Sequence, residues 1–569
     1  MIFLKKIMMS DKKSNVILEE YENEFLYKKS KTNLNIEFNR IAFIFFVFLI
    51  ISTIYSIQLL HLGSLKKVTK NIKQPITKKN YRADVIDRNG NYLVKTVDSI
   101  NVGIHPLKVI DKKHLLLMLN HIYENKNISR IKKKLDQDKF FYLEKNVRPK
   151  RYEELMMLGD KSISSEASLI RLYPQSNLFS HIIGQIDNDN NGISGIEKFF
   201  DEKLKKINGP LKLTLDLQIQ FLIREELLRF QKIFEAKGSA AILMNVNNGE
   251  ILSMVSLPDF NLNKRETIND VNYINRITKG TYELGSVFKT FTIASGINEK
   301  IIEPDTKFFD LKKSINCGKN HNIEEYDNKM PSELTVEQIL IKSGNIGSVR
   351  IARKIGIEKH KLFLKTIGIL DKIDFDIGEV SKPQSIDWYE GCKLETIAFG
   401  HGITTTILQL AKGYAIITNG GYDIQPTLIK KDLDKESKRK KVLKNGVSKK
   451  MNSMLRKVVT EGTAKLANVQ GYQVGGKTGT AEQVNNSIYS NTKINTFASI
   501  FPIENPKYVL VVMLESTKNN KEYIYEYRDG SGFKLKGSPR NTAGWTSVEA
   551  AGKIIDKIGP ILATKYIEN

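Results

Sequence analysis

Ser286 and Lys289 stand three residues apart in the stretch Tyr282-Glu283-Leu284-Gly285-Ser286-Val287-Phe288-Lys289-Thr290. A serine hydroxyl is a weak nucleophile until a base takes its proton. A lysine is such a base once neutral, and burial, a helix N-terminus or a second cation each depress its pKa. Gly285 precedes the serine and an apolar, helix-compatible run follows to Ala294, which predicts Ser286 at a helix start. Spacing i, i+3 then puts Lys289 on the same face. The free N–H groups of a first helical turn can stabilise an oxyanion. The spacing alone is weak, since it also begins at Ser10, Ser64, Ser129, Ser437, Ser490 and Ser531. Taken singly it reads equally as an N-cap serine beside a solvent lysine.

Two further groups come later in the chain. Ser343-Gly344-Asn345 offers a hydroxyl relay and a carboxamide able to hold a peptide. Ser99-Ile100-Asn101 and Ser314-Ile315-Asn316 share that form. Gly475-Gly476-Lys477-Thr478-Gly479-Thr480-Ala481 contains Lys-Thr-Gly, a pattern whose wider form also fits Lys342-Ser343-Gly344. In a strand, Lys477 and Gly479 share a face. The missing side chain at Gly479 is expected to let a peptide lie close to the strand. Lys477 offers positive charge to a carboxylate, and Thr478 and Thr480 offer hydroxyl donors. The specificity lies in the ordered combination of Ser-x-x-Lys, Ser-x-Asn and Lys-Thr-Gly.

Holding these groups together takes a sheet with helical layers. Residues 211–215, 240–246, 249–255 and 507–515 read as strands, with a turn at Asn247-Asn248-Gly249. Asp216 opens a helical pattern that runs to Gln231, and 547–558 reads as a closing helix. Between 64 and 205, short strands, helices and turns alternate. Asp87-Arg88-Asn89-Gly90 predicts a hairpin turn, while Tyr173-Pro174 and residues 187–195 read as loops. Asp84 and Asp87 read as strand-end and turn residues beside Arg82 and Arg88, not as a catalytic carboxylate pair. The basic run 430–450 is expected to be an exposed loop or hairpin.

Residues 41–60 carry no charge. As a helix they span about 30 Å, the hydrocarbon thickness of a bilayer, and a transmembrane helix is expected there. The run is too long, and too far from the N-terminus, for a typical signal peptide. Arg40 and Lys66-Lys67 bound it, and both flanks are basic, so charge asymmetry leaves its orientation open. The whole chain of 569 residues holds 88 Lys and Arg against 63 Asp and Glu, a net charge of +25. The basic residues are dispersed, without a zinc finger, an RNA-recognition signature or an aromatic-interleaved basic motif, so nucleic acid is not an expected partner. An anionic lipid or wall-polymer surface suits the charge as well. Two cysteines, Cys317 and Cys392, exclude a disulfide scaffold and a four-cysteine zinc site. They either form one bridge or stay as two half-buried thiols. Eight histidines never fall as a close ligand pair, so neither metal nor cofactor is expected.

The ordered motifs are those of penicillin-binding proteins and serine β-lactamases. Arg82-Ala83-Asp84-Val85-Ile86-Asp87-Arg88-Asn89-Gly90, Arg171-Leu172-Tyr173-Pro174, His181-Ile182-Ile183-Gly184 and Gly192-Ile193-Ser194-Gly195-Ile196-Glu197 extend the likeness upstream. Gly400-His401-Gly402-Ile403, Gln409-Leu410 and Asn419-Gly420-Gly421 extend it downstream. From the apolar segment to about residue 560 the chain resembles class B penicillin-binding proteins, and more closely the FtsI-type septal peptidoglycan D,D-transpeptidases. The resemblance implies an α+β architecture. Residues 1–40 would be a cytoplasmic tail, 41–60 a transmembrane helix and 64–205 a mixed α/β pedestal of the dimerisation type. Residues 206–560 would be a transpeptidase domain resembling serine β-lactamases, an antiparallel sheet flanked by helices.

Carried over by residue, the resemblance makes Ser286 the nucleophile, Lys289 its base and Ser343 a proton shuttle. Asn345 would hold the donor peptide. Lys477, Thr478 and Thr480 would bind the terminal carboxylate along the strand that includes Gly479. The N–H groups of Ser286 and Thr480 would form the oxyanion hole, and His401 reads as structural. The implied reaction releases D-Ala from a D-Ala–D-Ala stem peptide, then passes the acyl group to an amine of a neighbouring stem. β-Lactams would acylate the same serine. The acceptor amine lies outside the cytoplasm, which implies a single-pass inner-membrane protein with its bulk outside. A SEDS-type glycosyltransferase and other divisome proteins are the implied partners. Gly-His-Gly and Tyr-Glu-Leu-Gly-Ser point to the division branch, since elongation enzymes more usually carry Gly-Gln-Gly. Leu284 stands where the family often has Pro, and Val548-Glu549-Ala550-Ala551 where it often has Ala-Ala-Pro. An elongation-type transpeptidase, a D,D-carboxypeptidase and a catalytically silent division scaffold remain as alternatives.

Overall fold

The computed structural model describes residues 31–64, 81–123, 128–264, 271–317, 322–430, 439–485 and 488–566. Lys66-Lys67 and residues 431–438 of the basic run lie outside the described residues. The chain divides into two compact units, 1–79 and 80–569.

In the first unit a single helix, α1 (Lys31–Ser64), contains the apolar segment. Its stretch Arg40–His61 has a mean hydropathy of 2.3 and is exposed on all sides. A helix apolar all round needs an apolar surrounding, and 22 residues at 1.5 Å each are long enough to cross a bilayer.

The second unit begins with β1 (Val85–Ile86), β2 (Tyr92–Ile104), α2 (Lys112–Tyr123), β3 (Phe141–Glu144), β4 (Ile163–Leu172) and β5 (Leu211–Lys212). Both β3 and β4 pair antiparallel with β2, and β5 runs parallel to β1. Asp87 ties this region to the rest of the unit. Its Oδ1 accepts from the N–H groups of Asn89 and Asn91, and its Oδ2 accepts from the N–H of Leu217 at 3.1 Å. Asp84 accepts from the N–H of Thr96. Both carboxylates are thus engaged in local hydrogen bonds, Asp87 also with the Asn91 side chain. A buried ion cluster joins Arg82 and Arg171 to Glu197, with Asp201 on the far side of Arg82. Removing Glu197 would leave the buried Arg171 without its ion pair, at a cost of about 3–5 kcal/mol.

The remaining elements are α3 (Leu217–Ile233), β6 (Gly238–Asn245), β7 (Ile251–Leu257), α4 (Lys289–Asn298), the antiparallel pair β8 (Ser314–Asn316) and β9 (Asn322–Glu324), α5 (Val336–Lys342), α6 (Asn345–Ile355), α7 (Ile407–Thr418), α8 (Val447–Thr460), β10 (Gly475–Asn485), β11 (Ile488–Phe501), β12 (Tyr508–Glu515) and α9 (Ser547–Tyr566). One antiparallel sheet runs in the order β10-β11-β12-β6-β7. Its central strands are buried on both faces, which explains their continuous apolar runs. Two helix pairs, α3 with α9 and α7 with α8, pack onto it. Asp216 caps α3 by accepting from the N–H of Ile219 at 2.9 Å, a contact worth about 1 kcal/mol. Capping boxes at Thr335/Gln338 and Thr406/Gln409 start α5 and α7.

Three expected elements differ. The basic run 430–450 does not end as an exposed loop, because from Val447, itself buried, it forms the start of α8. The strand at 211–215 ends at Lys212, because Leu213 bridges to Ile429 and Thr214 turns its N–H to the Leu428 carbonyl. The closing helix continues beyond Ile558 to Tyr566 through Pro560.

Candidate active site

Ser286 lies on a tight 3₁₀ turn, Gly285–Phe288, and α4 begins only at Lys289. A 3₁₀ turn eclipses positions i and i+3, so the turn and its C-cap carry Ser286 and Lys289 one turn apart. Gly285 has φ +61°, and a Cβ there would come within 2.7 Å of the Thr480 carbonyl oxygen. A Cβ at Gly479 would come within 2.2 Å of the Leu284 carbonyl oxygen. At Gly479 the turn carrying Ser286 comes close to the strand. Behind the turn, α4 is buried along Lys289–Ile297. Tyr414 on α7 donates to the Val287 carbonyl at 2.8 Å and contacts the Thr290 hydroxyl at 2.9 Å.

Lys289 is fully buried. Its Nζ donates to the Ser343 carbonyl, to Ser343 Oγ at 3.2 Å and to Asn345 Oδ1 at 2.7 Å. Burial pushes its pKa down to about 7, against the opposing attraction of the Glu325 carboxylate. Lys477 is also fully buried, and its Nζ donates to Ser343 Oγ at 2.9 Å and to the Thr478 carbonyl at 3.1 Å. Burial, then repulsion from Lys289, hold Lys477 well below its ordinary value. Its side chain points inward from β10 and meets Ser343.

Ser343 connects α5 to α6 in the left-handed conformation, φ +60° and ψ +40°. A serine there is strained and needs its surroundings to hold it. Its Oγ accepts from both lysines, which occupies both lone pairs and leaves its own hydrogen to give. Asn345 opens α6. Its Oδ1 is taken by Lys289, and its Nδ2 donates one hydrogen to the Glu324 carbonyl at 2.8 Å, leaving the second hydrogen for a ligand.

Ser286, Ser343, Asn345, Thr478 and Thr480 line one cleft of about 1220 Å³, together with His401, Tyr326, Arg540 and Trp545. Lys289, Lys477 and Gly479 are buried behind it. Thr480 Oγ1 donates to Asn495 Oδ1 and accepts from the N–H of Ala543. Thr478 Oγ1 meets Thr463 Oγ1 at 2.7 Å. Because β10 is an edge strand, alternate N–H and C=O groups face away from β11. An extended peptide can add there as a further strand.

The sequence left the cysteines open. In the structure Cys317 and Cys392 form a disulfide, with Cα atoms 5.8 Å apart. The bridge joins the segment after β8 to the N-terminus of the short helix Lys393–Ile397, which leads into Gly400-His401-Gly402. Sequence reasoning missed Glu325, whose carboxylate accepts from two N–H groups of α6. No motif marks it, since it stands in a polar run just after a short strand.

A family model described as the penicillin binding protein transpeptidase domain matches residues 239–529, and one described as the penicillin-binding protein dimerisation domain matches 77–224. The chain is 28% identical over 501 residues to the probable peptidoglycan D,D-transpeptidase FtsI of Caulobacter vibrioides, covering 85% of this chain and 82% of that protein. It is 27% identical over 498 residues to the stage V sporulation protein D of Bacillus subtilis, covering 78% and 75%. The crystal structure of penicillin-binding protein 3 of Mycobacterium tuberculosis, complexed with aztreonam, shares its fold with a TM-score of 0.64 at 22% identity, over 86% of this chain and 97% of that one. The transpeptidase match starts within β6, ends beyond β12 and takes in all three motifs, and on that match the chain belongs to the penicillin-binding protein transpeptidase family.

Proposed function

We propose that this protein is a septal peptidoglycan D,D-transpeptidase in which Ser286 accepts the acyl group. The enzyme class is that of its family, a serine-type D-Ala–D-Ala transpeptidase that acts on peptidoglycan and is open to β-lactams. Ser286 Oγ attacks the penultimate D-Ala carbonyl, and its proton passes to Lys289. Ser343 carries a proton to the leaving D-Ala amine. The developing oxyanion sits on the N–H groups of Ser286 and Thr480. Asn345 orients the donor peptide with its remaining Nδ2 hydrogen. Thr478 and Thr480 meet the terminal carboxylate, with Lys477 behind them and the peptide running along the strand at Gly479. An amine of a second stem peptide then attacks the acyl-enzyme, forms the cross-link and frees Ser286.

The observation that carries this reading is Ser343 Oγ held between two buried amines in the wall of the cleft that Ser286 lines. A hydroxyl accepting from both sides directs its own hydrogen outward, as a proton relay requires. The septal role is supported by Gly400-His401-Gly402 and by likeness to a protein named FtsI. The length and apolarity of α1 support a single-pass membrane anchor. The Cys317–Cys392 bridge supports an extracytoplasmic catalytic unit, since disulfides persist in oxidising compartments. A SEDS-type glycosyltransferase and other divisome proteins are the partners this reading expects.

The test is labelling of the full chain in detergent by a fluorescent penicillin, followed by intact mass over time, beside Ser286→Ala. A stable adduct on the wild type alone supports the assignment. A folded wild type that takes no adduct overturns it in favour of a silent scaffold. A fluorescent fusion that follows the side wall instead of the septum would replace the division role with elongation.

A further inference from the structure

Glu325 lies outside the three motifs, yet it is buried against them. Its Oε2 accepts from the N–H of Asn345 at 2.9 Å and its Oε1 from the N–H of Ile346 at 2.8 Å. Its neighbours grip the same segment. The Glu324 carbonyl accepts from Asn345 Nδ2, and Tyr326 Oη donates to the Lys342 carbonyl at 3.0 Å. Ser343 is thereby bracketed by contacts to the residue before it and to Asn345 after it. These contacts over-determine a left-handed serine that would otherwise relax. The same grip aims Asn345 Oδ1 at Lys289 Nζ, 2.7 Å away. A carboxylate at the first turn of α6 is also favoured by the helix dipole.

We propose that Glu325 is a positioning residue for acylation, which fixes Ser343 and Asn345 and, through its charge, stabilises the ammonium formed on Lys289 when Ser286 gives up its proton. The proposal rests on the roles given above to Ser286 and Lys289. The charged groups around Lys289 are Lys477 from β10 and Glu325 from the segment after β9, while the α5–α6 turn presents only uncharged Ser343 and Asn345. Tyr326, beside it, feels the charges of Glu325, Asp327 and Arg540.

The sign is set by the charges. Glu325 favours the charged form of Lys289, so removing it makes Lys289 neutral at lower pH. The acid limb of the acylation rate should move down by about one pH unit. A carboxylate that served only as a helix cap would lower the rate without moving the limb. The experiment measures acylation of the detergent-solubilised full chain by a fluorescent penicillin, across about pH 5–9. The proteins are wild type, Glu325→Gln, Glu325→Asp and Ser286→Ala, each checked for folding by thermal melting. In Glu325→Gln the limb should fall by about one unit and the plateau rate by roughly tenfold. Glu325→Asp should keep the wild-type limb. An unmoved limb in folded Glu325→Gln overturns the proposal, as does an equal shift in Glu325→Asp. If the wild type takes no adduct, the reading of Ser286 fails first and separately.

Discussion

Lys289 and Lys477 share one hydroxyl, and two ammonium groups so close in a buried site would repel strongly. Lys289, pushed down to about 7 by burial, is the amine that titrates in the working range. A base acts in its neutral form, so acylation should rise as pH climbs through about 7 and level off above it. The rate of fluorescent-penicillin capture against pH checks this. Lys289→Met, similar in length but without an amine, should lose roughly 10²–10⁴-fold at every pH. Gly479→Ala tests the contact on the other side of the turn that carries Ser286. Its new Cβ would meet the Leu284 carbonyl at 2.2 Å, backbone against side chain, with no flexible atom to give way. The expected outcome is a loss of about 1–3 kcal/mol in stability. Displacement of the Ser286 turn should slow acylation by about 10²-fold. Thermal melting and the acylation rate measure the two effects separately.

The segment around β8 and β9 does more for the site than its few residues suggest. It supplies Glu324, Glu325 and Tyr326, all of which hold the Ser343 segment. The disulfide pins this segment to the helix before Gly400, closing a sequence separation of 75 residues. In the chain-entropy picture a loop of that length is worth up to about 4 kcal/mol. Cys317→Ser with Cys392→Ser should therefore lower the melting temperature. It should also slow acylation, because Glu325 loses part of its support. An unchanged acylation rate in the double variant would show that packing alone fixes the segment. The other elements were easier to foresee. Asp216 announces α3 as a cap, and the apolar runs of β6 and β12 announce buried strands. The strand expected at 211–215 was cut short because Thr214 found partners in Leu428 and Ile251. Such distant partners leave no mark on local periodicity.

For the whole molecule, the split at residues 79 and 80 separates a helix apolar on all sides from a unit with its own buried core. A chain beginning at Asn80 should purify without detergent, capture penicillin at the rate of the full chain and fail to fractionate with membranes. A slower rate in that shortened protein would show that α1 shapes the cleft. The sequence by itself determined the Ser286–Lys289 spacing, the order of the three motifs and the apolar span, because each is a local pattern of residue type and spacing. It also carried the Asp87 turn and the helix start at Asp216, where one side chain caps its own neighbours. Only the tertiary structure decided that Ser343 stands left-handed between two buried lysines. It also decided that Cys317 meets Cys392, that Gly479 makes room for the Ser286 turn, and that Glu325 reaches α6. These contacts join segments far apart in the chain, and their geometry comes from packing several elements at once, which no window of sequence contains.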